Sequence, residues 1–373
     1  MVKIKPESFR GRAAVSLDNG RVRVVVLPGG GHIAAATAHP NPLNPLWEPQ
    51  WPALEPNLRV LADPDVYGDK PEGVMLSSIA GHNLCCDVFG THSEGERAAG
   101  LTFHGEAGMV QWSVAQAECD AKAATLVMEA DLTHTALTIR RAFRLERDAQ
   151  TVRVDETLTN KVGFQRALGV AQHVTLGGAF LGGPQRPALF ASNADRGLTW
   201  PQDFSDLPHS FAMDKAFDFP LIPSRDGSTQ DWRRYPRHES NQDLCSLRVR
   251  HTDDVGWFSA AQPEHGLAIA YAWQRAHYPW LMTWEENHCW DEKPWNKREL
   301  TRGLEFSSYT FALSRKENVE LSERLETPCF TWLDAYEART STFALTVVEH
   351  DRERTEAPTV AVDDDWMITV SEG

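Results

Sequence analysis

Two histidines lie in local settings that suit acid and base chemistry. His104 is followed by two closely spaced glycines, a pattern that predicts a tight turn with the imidazole at its edge. His173 lies in an apolar β-like run that also ends in two glycines. An imidazole with a reference pKa of roughly 6.5 exchanges protons near neutral pH. Each residue keeps a structural alternative, a solvated turn for His104 and a satisfied core position for His173.

Glu305 is a candidate general base because it lies between Leu304 and Phe306 in a β-like run. A carboxylate in such a position is desolvated if it faces inward, and desolvation raises a carboxyl pKa toward the range useful for a base. The structural alternative is a buried ion pair with Arg302. Residues of one strand share a face only at even spacing, so the odd spacing of Arg302 and Glu305 disfavours that pair.

Tryptophans are concentrated just upstream of this glutamate. Five of the 13 tryptophans fall between Trp273 and Trp295, and Trp284 is followed directly by Glu285 and Glu286. Indole faces beside carboxylates and amides suit sugar binding, because the ring stacks on C–H groups while polar groups take the hydroxyls. The alternative, that these tryptophans fill a sandwich core, stays open.

Strands are the elements that must position these residues. Apolar residues recur most strongly with a period of two residues. In residues 151–160, for example, Val152, Val154, Glu156 and Leu158 share one face. Alternating or β-branched runs also occur elsewhere, and convincing long amphipathic helices do not. The further predicted strands are Arg21–Leu27, Ala124–Leu132, Leu137–Leu145, Leu244–His251, Leu267–Trp273 and Phe343–Glu349. The sequence therefore predicts an all-β protein with packed sheets.

Length and composition fit one large β domain. All-β architectures often exceed about 200 residues as one unit, so we predict one domain over residues 1–348 of the 373. Residues 199–243 hold five prolines and several aromatics, which predicts a long excursion with something to bury. Residues 349–373 are predicted to form an acidic tail that either docks as a strand or stays mobile.

Charge and motifs exclude several functions. With 37 basic and 52 acidic residues the net charge is −15, which argues against nucleic-acid and anionic-membrane partners. There is no GxSxG, HExxH or phosphate-binding loop, and no CxxC pair among six cysteines. We expect reduced thiols in a cytoplasmic protein, with no metal site. The charge also favours a neutral sugar over a phosphorylated one unless Arg233 and Arg234 line the site.

Taken in order, these motifs resemble those of the aldose 1-epimerase (galactose mutarotase-like) family. The residues that carry the resemblance are the HG pair at His104, QH at Gln172 and His173 before a glycine pair, and the late GLEF run containing Glu305. The run DETLTN at 155–160 resembles the strand before the family's central histidine. The resemblance covers roughly residues 13–348 and thins out near residues 328–332.

The resemblance implies a β-supersandwich fold and interconversion of the α and β anomers of a sugar without a cofactor. In this family a glutamate removes the proton of the anomeric hydroxyl and a histidine protonates the ring oxygen. By matching motif, Glu305 is the base, His173 is the acid, and His104 assists near the ring oxygen. The expected partner is a small-molecule sugar, and the oligomeric state is left open.

The sequence departs from the family where the sugar is held. An early Arg and Asn pair is replaced by His82 and Asn83, and no clear match exists for an aspartate that binds hydroxyls, whose role we assign to Glu285 or Glu286. The predicted substrate-binding residues are His82, Asn83, Trp284, Glu285, Glu286 and Arg302. Two alternatives remain: a non-catalytic carbohydrate-binding β-sandwich, and a polysaccharide lyase or hydrolase, which only six tyrosines and no evident carboxylate pair disfavour.

Overall fold

The computed structural model describes residues 2–90, 92–183, 185–202 and 207–371. The side chains of residues 59–61 and 71 lie outside that description. The strands of the first part of the chain are β1 Lys3–Phe9, β2 Arg12–Asp18, β3 Val22–Leu27, β4 His32–Ala38, β5 His82–Cys86, β6 Ser113–Cys119, β7 Ala123–Leu132, β8 Leu137–Glu146, β9 Thr151–Asn160, β10 Arg166–Leu168, β11 Val170–Gly177, β12 Ala188–Ser192 and β13 Ala194–Thr199.

The remaining strands are β14 Ala216–Asp218, β15 Leu221–Pro223, β16 Thr229–Asp231, β17 Arg234–Tyr235, β18 Asn241–Val249, β19 Val255–Gln262, β20 Leu267–Gln274, β21 Trp280–Asn287, β22 Leu300–Ser307, β23 Thr331–Leu333, β24 Ala338–Glu349, β25 Thr359–Val362 and β26 Ile368–Ser371. Helices are short: α1 Pro64–Tyr67, α2 Pro71–Leu76, α3 Glu94–Ala98, α4 Gly178–Leu181 and α5 Arg315–Glu323, with 3-10 turns at Pro56–Leu61 and Ala107–Met109.

Two large antiparallel sheets form the body of the protein. The first has eleven strands in the order β1-β2-β3-β4-β5-β11-β22-β21-β18-β13-β14. The second has nine, in the order β17-β12-β19-β20-β24-β9-β8-β7-β6. The main apolar core packs between their facing sides. The all-β prediction is confirmed.

Strand β9 shows how an alternating sequence pattern produces a strand with one buried face. Val152, Val154 and Leu158 are buried, and the predicted bounds 151–160 match the strand. Glu156 is the one acid on that apolar face, and it is fully buried against Arg141 of the neighbouring strand β8. A charge on the inner face is tolerated there because an opposite charge faces it.

The proline-rich excursion at 199–243 contributes to the core. Phe211, Phe217, Trp232 and Tyr235 are all buried. Residues 203–206 of this predicted excursion lie outside the described residues. These four aromatic side chains therefore pack in the interior of the protein.

The C-terminal tail docks rather than projecting from the domain. Strands β25 and β26 form a hairpin whose Val360 packs on Ala270 and Ala272 of β20. Thr151 at the start of β9 accepts a hydrogen bond from the backbone N–H of Ile368 at 3.0 Å. Residues 372–373 of the predicted tail lie outside the described residues.

Residues 39–81 were not predicted to have structure of their own. They contain α1 and α2 and place Trp47, Trp51 and Tyr67 in one buried cluster with Trp295. Helices this short carry little periodicity, so the sequence pattern did not reveal them. Within the described residues, no helix has the length and apolar character that crossing a membrane requires.

Candidate active site

A cavity of about 410 Å³ lies on the side of the first sheet that faces away from the second sheet. Its floor is formed by β11, β22, β21 and β18, and the segment containing α2 covers part of it. The size is that of a pocket for a small organic molecule. His104, His173 and Glu305 all line it.

Strand register brings His173 and Glu305 together although they are far apart in sequence. His173 on β11 pairs with Glu305 on β22 and, on its other side, with Asn83 on β5. Directly paired residues point to the same face of a sheet, so the three side chains form one row. Neighbouring Gln172 and Phe306 point to the opposite face, into the core.

The imidazole and the carboxylate of this row are in contact. Nε2 of His173 lies 3.2 Å from Oε1 of Glu305, and Nδ1 of His173 lies 3.1 Å from the Thr175 hydroxyl. Glu305 is fully buried, and neither of its oxygens forms a well-directed hydrogen bond with any described residue. Gly303, one position along the same face, leaves room for this carboxylate, because a Cβ there would overlap its Oε1 atom. The imidazole and the carboxylate are therefore held in contact, and the oxygens of Glu305 remain able to accept hydrogen bonds.

Burial shifts the two pKa values in opposite directions. It lowers the pKa of His173 to about 4 and raises the pKa of Glu305 well above its usual range. The two groups therefore hold one proton between them at pH values above the lowered pKa of His173 and below the raised pKa of Glu305. Moving that proton across the contact converts the neutral acid and imidazole into a carboxylate and an imidazolium.

His104 is fixed by its turn in one tautomer. Its backbone adopts a φ of 63°, and Gly105 after it has a φ of 78°. Nδ1 of His104 accepts a hydrogen bond from the Gly90 N–H at 3.0 Å, so the neutral ring carries its proton on Nε2. Burial, with a smaller contribution from nearby His173, lowers the pKa of His104 well below its usual range. The ring is a neutral N–H donor whose centroid lies 4.8 Å from that of His173.

Aromatic rings continue from this pair along the cavity. The Trp284 ring lies 6.4 Å from the His173 ring, and Trp295 lies 5.8 Å from Trp284. Trp290 follows at 5.3 Å from Trp295, and Trp47 stacks on Trp295 at 5.4 Å. This combination of indole faces beside an acid–base pair suits a ring with apolar C–H faces and polar edges.

Only some of the predicted substrate-binding residues lie on the cavity side. Asn83 and Trp284 do, since they alternate with core residues on β5 and β21. Glu286 shares the face of Trp284, but its carboxylate accepts hydrogen bonds from the backbone N–H groups of Cys289 and Trp290 at 3.0 and 3.1 Å. It stabilises the turn that carries Trp290.

His82, Glu285 and Arg302 lie on the opposite side of the sheet, a position that does not fit the predicted substrate contact. Each is fully buried between the sheets, because each is one residue out of phase with the cavity-facing positions of its strand. His82 contacts the Gln172 amide at 2.9 Å.

Arg302 has a structural role in the core. It pairs with Glu285 at 3.1 Å and its guanidinium lies 4.0 Å from the Phe190 ring and 4.6 Å from the Trp232 ring. Burial lowers the pKa of Arg302 to about 10. As the odd spacing indicated, its partner is not Glu305.

The sequence did not reveal several cavity residues. Met75 and Ile79 come from the unpredicted segment that contains α2, and Gln242 comes from the start of β18, at the end of the predicted proline-rich excursion. Extending the alternation of the predicted strand Leu244–His251 back by two residues could have placed Gln242 on the same face as Leu244. Among the described residues, no three His, Cys, Asp or Glu side chains form a group that could hold a metal ion.

Comparison with known proteins places the fold. No protein-family model and no curated protein matches the sequence. Solved structures do match. A "putative aldose 1-epimerase" from Klebsiella pneumoniae is 12% identical with a TM-score of 0.65, covering 94% of this chain and 84% of that one. A galactose mutarotase-like protein from Clostridium acetobutylicum is 12% identical with a TM-score of 0.60, covering 93% and 99%.

A second "putative aldose 1-epimerase", from Escherichia coli K12, is 14% identical with a TM-score of 0.56, covering 94% of this chain and all of that one (100%). Identities this low carry no information about individual site residues. The similarity establishes the fold, and it confirms that this chain has the galactose mutarotase-like all-β sandwich architecture.

Proposed function

We propose that the protein is an aldose 1-epimerase-like isomerase that interconverts the α and β anomers of a sugar. The observation that carries this proposal is the contact of 3.2 Å between His173 and Glu305 in a cavity lined by tryptophans. Opposite pKa shifts give the pair one proton to exchange, which is what ring opening and closure need. The shared fold supports the same reaction class.

The reaction begins when one proton leaves the sugar and another enters it. Glu305, as carboxylate, removes the proton of the O1 hydroxyl, and His173, as imidazolium, protonates the ring oxygen while the bond between C1 and that oxygen breaks. The products are the open-chain aldehyde, a neutral Glu305 acid and a neutral His173. This is the protonation state that burial of the two groups favours.

Closure from the other face completes the reaction. Rotation about the C1–C2 bond presents the opposite face of the aldehyde. The ring oxygen then attacks C1 and returns its proton to His173, while Glu305 returns its proton to O1. The Nε2–H of His104 is an uncharged donor beside His173 and stabilises developing charge near the ring oxygen. No net proton is consumed.

Anomer exchange of free aldoses tests the proposal directly. Exchange is measured by saturation-transfer NMR and polarimetry with wild type and His173→Ala, with circular dichroism to verify folding. We expect wild type to accelerate exchange of at least one aldose and the variant to lose that acceleration. A sugar that binds without acceleration would instead support the carbohydrate-binding alternative, which the tryptophan lining also suits.

The pH dependence should report the shared proton. Below pH 4 a second proton goes onto His173 and the pair contains no base, while above the raised pKa of Glu305 the last proton is lost and the pair contains no acid. We expect kcat/KM, after subtraction of buffer catalysis, to fall near pH 4, to be level above about pH 5, and to fall again at the raised pKa of Glu305. An acidic limb near pH 6.5 would show an unperturbed histidine and contradict this account.

The charges at the cavity favour an unphosphorylated sugar. Lys70 pairs with Glu292, and Nζ of Lys293 lies 3.5 Å from Asp65. Arg233 pairs with Asp231 at 2.8 Å, and neither it nor Arg234 lines the cavity. Phosphate recognition draws on cations that are free to bind it.

We therefore expect kcat/KM for a free hexose to exceed that for its 6-phosphate by at least about tenfold, a loss that a single uncompensated charge contact would produce. The two sugars are compared by the same exchange measurement at two ionic strengths. Equal or higher kcat/KM for the 6-phosphate would contradict the expectation.

A further inference from the structure

Gln242 is a buried amide that the reaction described above does not use. It lines the cavity from strand β18 with 4% of its surface exposed. Its Oε1 atom is buried without a hydrogen-bond partner in the described part of the chain. Glu286, its pairing partner on β21, already accepts the N–H groups of Cys289 and Trp290. An amide left unpaired in this way is stabilised by a ligand that supplies hydroxyl groups.

Strand register places Gln242 far from the acid–base pair. Gln242 pairs with Glu286 of β21, whereas Glu305 pairs with Met282, four positions away on that strand. Strand β18 is the second neighbour of β22. At about 3.4 Å per residue and about 4.8 Å between strands, the two Cα atoms are on the order of 16 Å apart.

One sugar ring does not span this distance. A pyranose with its hydroxyl oxygens is roughly 6 Å across, from bond lengths near 1.5 Å. Hydrogen bonds of about 3 Å at both ends extend its reach to about 12 Å. Side chains of strand residues stand roughly perpendicular to the sheet, so the ends of Glu305 and Gln242 are separated by about as much as their Cα atoms. A monosaccharide with its anomeric carbon at Glu305 therefore ends a few ångströms before Gln242.

An aromatic surface connects the two ends. Trp284 lies in the row between those of Glu305 and Gln242, beside Leu244 of β18. Its ring is 6.4 Å from His173 and 5.8 Å from Trp295, which in turn is 5.3 Å from Trp290. Trp284 and Trp290 are partly exposed and suit consecutive sugar rings, because each offers an apolar face for stacking, whereas Trp295 is 3% exposed and lies buried between them.

The two lysines that line this end of the cavity are compensated within the protein. Lys70 is paired with Glu292, and Glu286 is occupied by its turn. The groups left for a ligand are an amide, indole rings and the Glu72 carboxylate, and these suit a neutral hydroxylated ring rather than an anion.

We propose that Gln242 and Trp290, with Trp295 packed against Trp290, form a second sugar subsite, so that the substrate is a neutral reducing disaccharide or longer saccharide. Its reducing-end ring occupies the His173–Glu305 end, and the next ring lies over the indoles with a hydroxyl donated to Oε1 of Gln242. This assignment rests on the proposed epimerase function for the identity of the first ring.

The test compares reducing disaccharides with their monosaccharides. Anomer exchange of maltose, cellobiose, lactose, glucose and galactose is measured by saturation-transfer NMR with wild type, Gln242→Ala and Gln116→Ala. Gln116 is the matched control, since it lies on β6 at the far edge of the second sheet. We expect wild type to have at least tenfold higher kcat/KM for one disaccharide than for its monosaccharide. Gln242→Ala should lower that ratio about threefold to tenfold, and Gln116→Ala should not change it.

Binding separates failure of the subsite from failure of the epimerase function. The non-reacting methyl glycosides of the same disaccharides are titrated while tryptophan fluorescence is recorded. Monosaccharide exchange with ratios near one in wild type and Gln242→Ala would overturn the subsite and leave the epimerase function standing. Absence of any exchange, with methyl glycoside binding that weakens in Gln242→Ala, would support the subsite and overturn the epimerase function. Absence of saccharide binding in every titration would overturn the subsite.

Discussion

Glu305→Gln is expected to lower kcat/KM for anomer exchange by about 10²- to 10⁴-fold, the contribution typical of a general base. The amide has nearly the same shape as the carboxyl group and fits the same fully buried space beside Gly303. It offers no lone pair basic enough to remove the O1 proton, so binding is retained while the first step is lost. Saturation-transfer NMR on the preferred sugar measures the change.

The matched control is Glu129→Gln, an exposed glutamate of β7 that forms a surface ion pair with Arg140 at 3.5 Å. It should keep wild-type activity, because surface ion pairs contribute little. Wild-type activity in Glu305→Gln would overturn the assignment of the base, as would an equal loss in the control.

Stability provides a check that Glu305→Gln remains folded. The raised pKa means that the unfolded chain releases the Glu305 proton above about pH 4.3, while the folded chain retains it. Stability linked to this group is therefore complete below that pH and declines as pH rises toward the folded-state pKa. The variant lacks this decline, so at pH 8 its free energy of unfolding should equal or exceed that of wild type.

The sequence predicted those parts of the site that follow from alternation within a strand. The patterns around His173 and Glu305 predicted strands with an ionisable group on one face, and the odd spacing of Arg302 and Glu305 argued against their pairing. Both inferences depend on positions a few residues apart. They needed no knowledge of which strands are neighbours.

The positions that depend on pairing between distant strands were not predictable from these patterns. Glu285 and Glu286 are adjacent in sequence, and only the register of β21 decides which of them is buried between the sheets. The same holds for His82, which was predicted to contact the substrate. Its position in β5 directs its side chain into the core, whereas Asn83 lies beside His173. The catalytic roles remain predictions, since proximity does not measure activity.

The buried pair of Arg141 and Glu156 lies on the core side of β11 and should dominate the stability of this part of the core. Both side chains are fully buried, and Nε of Arg141 donates to Oε2 of Glu156 at 2.7 Å. The other carboxylate oxygen accepts the side-chain N–H of Gln172 at 2.7 Å. Gln172 immediately precedes His173, so this network holds the strand that presents the proposed acid.

Arg141→Met is therefore expected to lower the free energy of unfolding by about 3–5 kcal/mol, because it leaves the Glu156 carboxylate buried without its counter-ion. Arg141→Met combined with Glu156→Leu removes both charges and should recover at least half of that loss. Recovery is incomplete because Gln172 then lacks its acceptor. Urea unfolding followed by fluorescence measures all three proteins. A single-variant loss below about 1 kcal/mol, or a double variant no more stable than the single, would show that the charges are not the cause. Arg141 compensates the charge of Glu156 within the core. Glu156 on the inner face of β9 is therefore a buried charge stabilised by its counter-ion, and it is not a second reactive group.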